Sequence, residues 1–132
     1  MLNVASIAAF QPAPNFATYA ATKAYVLSPT ESLSQALRGS GVSITNLCPG
    51  ISATAMLDKA KAVSHELGSL PAFMVGSTEN VADAGFKACM DGEVIRVPGV
   101  LNHAAILASR ATPRWLMRLM GGALVRRLKP AD

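Results

Sequence analysis

The chain has 132 residues, 51% of them hydrophobic and 15% charged. That composition excludes a disordered tail and fits one domain with a buried core. The net charge is +4, but Met1 to Gln35 holds one lysine and one glutamate, while Arg110, Arg114, Arg118, Arg126, Arg127 and Lys129 crowd the last stretch. With aromatics at 5% there is no basic stripe with interleaved rings, and nucleic acid is excluded as a partner.

The apolar share is high for so short a chain, and predicts burial against further sequence or a second chain. Cys48 and Cys89 stand far apart, without metal or redox spacing. They read as buried thiols of a reducing, cytoplasmic compartment. No basic leader precedes the first apolar residues, and no 18-residue apolar run is present.

In chain order, Met1–Ser6 reads as a buried strand and Ile7–Asn15 as a loop punctuated by Pro12 and Pro14. A helix is predicted from Ala17 to about Leu37, with Val26, Leu33 and Leu37 at helical spacing and a bend at Pro29. Gly39 and Gly41 stop it. Val42–Cys48 is the next strand, ended by Pro49-Gly50. A short helix is expected from Ala55 to His65. Ser77 caps a helix from Thr78 to Met90, closed by Asp91-Gly92. Glu93–Val97 is a third strand, followed by helices over Leu101–Ser109 and Pro113 to about Leu128. Strands joined by helical crossovers make a parallel sheet with helices on its faces, an α/β fold. Three strands are few for such a sheet.

Ser6, Tyr19 and Lys23 form the set that carries chemistry. Tyr19 and Lys23 lie four apart near a helix start, so they share a face. A free phenol is too weak an acid to exchange its proton near neutrality. An ammonium beside it favours the anion and makes it a usable acid and base. Ser6, at a strand end, can donate to the same substrate oxygen and steady its developing charge.

Ser6, Tyr19 and Lys23 in this order resemble the Ser…Tyr-x-x-x-Lys motif of the short-chain dehydrogenase/reductase family. Asn3-Val4-Ala5-Ser6, Tyr19-Ala20-Ala21-Thr22-Lys23-Ala24, and Pro49-Gly50 with Thr54 resemble that family's serine strand, helix and Pro-Gly-x-x-x-Thr turn. The resemblance is close over Met1 to about Leu57 and weakens beyond. It implies a partial Rossmann-like, doubly wound parallel sheet over residues 1–100, with basic amphipathic helices over 101–132. It implies an oxidoreductase that interconverts a carbonyl and a secondary alcohol with NAD or NADP. Ser6, Tyr19 and Lys23 would be catalytic, and Tyr19, Lys23, Pro49, Gly50 and Thr54 would border the cofactor. No metal is expected.

The family's Gly-rich pyrophosphate turn has no counterpart here: no G-x-G-x-x-G occurs. The expectation is therefore a catalytic half, with upstream strands outside the sequence and negligible turnover alone. The alternative is a non-catalytic remnant or association module that pairs with another chain, because an open sheet edge invites pairing. A complementing N-terminal half or a second copy would fill that role.

Other residues carry blander expectations. His65 and His103 are lone and read as surface or packing residues. Tyr25 reads as core or interface. Leu57, Leu70, Phe73 and Met74 line either a lipophilic substrate pocket or the core. Pro113–Leu128, with Trp115 and Leu116 among arginines, either packs on its own domain, covers an oligomer partner or lies on an anionic membrane surface. Gly121-Gly122 interrupts it.

Overall fold

The computed structural model describes residues 1–13, 16–50, 76–113 and 115–119. Within them lie strands β1 (Leu2–Val4), β2 (Thr45–Leu47) and β3 (Ile95–Arg96), and helices α1 (Ala17–Ala36), α2 (Thr78–Met90) and α3 (Val100–Ala111). The sheet order is β1-β2-β3, with both pairs parallel. Val4 pairs with Leu47, and Leu47 with Arg96. This is the expected α/β architecture, a three-stranded piece of a Rossmann-like sheet.

Side-chain alternation along β2 assigns the layers. The Asn46 Nδ2 donates to the Val26 carbonyl of α1 at 3.3 Å. Leu47 faces the other way, where its Cδ2 lies 2.7 Å from where a Cβ on Gly85 of α2 would stand. Successive strand residues point to opposite faces, so α1 and α2 cover opposite sides of the sheet. Ala5, Leu27, Cys48, Val97 and Ile106 form the core on the α1 side, flanked by Phe10, Val26 and Ile95.

Helix α1 keeps its predicted length despite Pro29, but buries different residues than its spacing suggested. Ala20, Leu27 and Thr30 are buried, while Leu33 and Tyr25 are exposed, Tyr25 at 76%. Tyr25 is therefore no core residue. The helix docks partly through polar groups: Asn3 Nδ2 donates to Thr30 Oγ1 at 3.0 Å, and Thr30 donates to the Val26 carbonyl at 2.8 Å. An apolar-periodicity rule passes over such a face. Gly39 and Gly41, with φ near +80°, follow the helix as expected.

Helix α2 spans the predicted residues, with the Ser77 hydroxyl accepting from the Asn80 amide. Three corrections concern boundaries. Ile7–Phe10 is a 3-10 helix and not a loop. The three strands are shorter than predicted, and α3 extends to Ala111. Cys48 is buried, but Cys89 is half-exposed; both are free thiols. The helix expected over Ala55–His65, the possible pocket residues Leu57, Leu70, Phe73 and Met74, and residues 120–128 of the last helix lie outside the described residues.

Candidate active site

Parallel strands all end on one side of the sheet, and here those ends gather the predicted groups. The backbone ladder continues past β1 and β2: Ala5 donates to the Leu47 carbonyl at 2.8 Å, and Ile7 donates to the Pro49 carbonyl at 3.0 Å. Ser6 is thereby pinned between a residue bonded to β2 and one bonded to Pro49 just after it. It is buried, at 8% exposure. Ser6 also caps the 3-10 helix, its Oγ accepting from the Ala8 amide at 3.2 Å. A capping hydroxyl accepts with a lone pair, so its own hydrogen remains available to donate.

Tyr19 and Lys23 both lie in the first two turns of α1, half-buried. The Lys23 ammonium donates to the Val4 carbonyl at 3.2 Å and sits 5.7 Å from the centroid of the Tyr19 ring. The first contact ties the lysine to the end of β1, two residues before Ser6. The second is within the range of a cation–π attraction, which opposes rotation of the ring away from the ammonium. Four-residue spacing put the two side chains on one helix face, and the carbonyl of Val4 fixes where that face meets the sheet.

Pro49 and Gly50 follow β2 at this same end. Asn102, in the first turn of α3, was not singled out from sequence. Its Nδ2 donates to the Pro98 carbonyl at 2.7 Å. A Cβ on Gly50 would stand 2.5 Å from that nitrogen, and one on Gly99 would stand 3.2 Å away. Asn102 thus wedges between the Pro49-Gly50 and Pro98-Gly99 turns, and Gly50 is required for close approach. The sequence signal was the repeated Pro-Gly dipeptide, each copy ending a parallel strand. Thr54 lies outside the described residues, as does His65. His103 is exposed. No cluster of metal-ligating side chains occurs among the described residues.

Cys48, next to Ser6, has its thiol pushed up to about 11, chiefly by burial and then by Glu31. The Ser6 backbone and the Lys23 charge oppose the shift. The thiol is therefore neutral at physiological pH.

Ligands of open parallel sheets bind beyond the carboxyl ends of the strands, which is where these residues stand. The donors of Lys23 and Tyr19 and the close turn at Gly50 suit the ribose and nicotinamide end of a dinucleotide. The chain has no Gly-rich turn for its pyrophosphate.

The chain is also similar in sequence and fold to known proteins. Residues 1–64 match the short chain dehydrogenase family. The chain is 32% identical over 88 residues to a 2-(R)-hydroxypropyl-CoM dehydrogenase of Xanthobacter autotrophicus, covering 64% of this chain and 35% of that protein. It is 34% identical over 108 residues to a short-chain type dehydrogenase/reductase of Picea abies, covering 75% and 40% of the two. A short-chain dehydrogenase/reductase of Burkholderia phymatum, solved in complex with NAD, superposes with a TM-score of 0.59 at 25% identity, over 99% of this chain and 50% of that one. The chain thus spans well under half the length of the curated relatives. On the motif, the fold and these matches together, it belongs to the short-chain dehydrogenase/reductase family.

Proposed function

We propose that this chain supplies the acid–base side of an NAD- or NADP-linked oxidoreductase acting on a small carbonyl or secondary alcohol. The observation that carries the reading is the Lys23 ammonium, tethered to the end of β1 and 5.7 Å from the Tyr19 ring. Tyr19 is the general acid in reduction: its hydroxyl hydrogen goes to the carbonyl oxygen, and the reverse transfer serves oxidation. Lys23 favours the phenolate left behind and offers its remaining hydrogens to ribose hydroxyls. Ser6 donates to the same oxygen as charge builds on it. Pro49 and Gly50 would border the nicotinamide end, with Thr54 of the same Pro-Gly-x-x-x-Thr sequence as the third candidate for that contact. When bound, the dinucleotide supplies or accepts the hydride.

The NAD bound to the Burkholderia phymatum relative supports this cofactor class. The free thiols fit a reducing, cytoplasmic setting. An apolar substrate accords with the apolar residues after Thr54.

The test is reduction of carbonyl compounds by NADH or NADPH, with dinucleotide binding measured in parallel. Tyr19→Phe should lower turnover by about 10²-fold or more while dinucleotide still binds. Retained turnover in that variant rejects Tyr19 as the acid.

A second reading is favoured by one observation. Among the described residues β1 stands at an edge of the sheet, and its Leu2 and Val4 are exposed. In that reading the chain is an association module that works only when paired with a complementing α/β half or a second copy. Saturable micromolar dinucleotide binding by this chain alone rejects it.

A further inference from the structure

Helix α3 faces its own domain with a narrow stripe. Ile106 is buried, and Asn102 and Ser109 are half-buried; these positions recur at helical spacing on one side. The rest of the circumference is exposed and mostly apolar. Val100 is 86% exposed, Leu101 62% and Leu107 65%. After Pro113 the helical residues 115–119 repeat the pattern, with Trp115 at 61% and Leu119 at 56%. Four residues apart, those two share a helix face.

Large exposed apolar side chains at this density mark an interaction surface. The charge carried by this stretch of the sequence indicates what covers it. From Val97 to Ala131 the sequence has no aspartate or glutamate, yet holds Arg110, Arg114, Arg118, Arg126, Arg127 and Lys129. Arg110 and Arg118 are exposed, and Arg110 also stacks 5.5 Å over the Phe10 ring. No described helix is long and apolar enough to cross a membrane. Apolar residues with a tryptophan, flanked by cations and free of acids, match the chemistry of a bilayer surface rich in anionic headgroups. A tryptophan favours that boundary, where its ring meets both hydrocarbon and water.

We propose that α3 and the helical turn after it form a peripheral docking surface for anionic lipid bilayers. Apolar side chains enter the headgroup layer, and Arg110 and Arg118 pair with lipid phosphates. The active site is not needed for this, so the proposal stands apart from the oxidoreductase reading.

Trp115 is the only tryptophan in the chain, so its fluorescence reports the surface directly. The full chain is mixed with vesicles of phosphatidylcholine alone or of phosphatidylcholine with phosphatidylglycerol. The expected result is a blue shift and co-flotation with the anionic vesicles only, weakened by high salt. Leu101→Glu combined with Leu107→Glu should weaken binding on the order of a hundredfold. Arg118→Gln should weaken it about fivefold, the worth of one surface cation. Circular dichroism checks that the variants keep their helices; should the double variant lose them, the conservative Arg118→Gln carries the test. Absence of binding, equal binding to both vesicle types, or binding unchanged in the folded variants overturns the proposal. So does a dimer in which the acidic Glu79, Asp83 and Glu93 of a second copy cover this face and vesicles are ignored.

Discussion

Cys48 sits where the backbone of Ser6 and the charge of Lys23 both reach it, yet its thiol is held protonated, chiefly because burial penalises the anion. The sign of the resulting pH dependence follows from that upward shift. Between the ordinary thiol value of 9.0 and about 11, the unfolded chain has lost this proton and the folded chain keeps it. Stability is therefore unaffected below pH 9 and falls as the pH rises toward 11. Urea midpoints measured across that window should decline, and Cys48→Ala should flatten the decline. The pairing of Tyr19 with Lys23 was legible at this scale because four-residue spacing alone puts both on one helix face. Asn102 was not, because its role is to fill the gap between two turns that the fold brings together.

At the scale of elements, the approach of α2 to β2 depends on Gly85. A Cβ there would meet the Leu47 side chain at 2.7 Å, and Gly85 and Leu47 are both buried. Gly85→Leu should destabilise the fold by about 1–3 kcal/mol through overpacking, read as a lower urea midpoint. Helix α2 itself was readable end to end, because a serine cap, an acidic first turn and a closing Asp-Gly are local signals. Helix α1 was readable in extent but not in packing. Its sheet-facing side is made by Thr30 and a backbone carbonyl accepting from Asn46, in addition to Ala20 and Leu27. Strand lengths were overestimated for a related reason. Apolar runs report burial, whereas strand ends are set by where the hydrogen-bonded ladder stops.

At the scale of the molecule, the order β1-β2-β3 among the described residues leaves β1 at an edge, with Leu2 and Val4 exposed. Unpaired strand groups flanked by apolar side chains recruit further strands. The chain should therefore associate reversibly as concentration rises, and Leu2→Lys should shift sedimentation profiles toward the monomer. An unchanged profile in that variant would assign the association to another surface. The chain spans 35% and 40% of the lengths of two curated relatives.

The sequence by itself determined the α/β class, the helix carrying Tyr19 and Lys23, the cap of α2 and the two Pro-Gly turns, because each is encoded within a few neighbouring residues. The tertiary structure decided that Lys23 reaches the Val4 carbonyl, that Ser6 is pinned beside Pro49, and that Asn102 fills the space against Gly50. Those contacts join residues 19 to 52 positions apart. Their geometry is set by how helices settle on a parallel sheet, which no local pattern of side chains records.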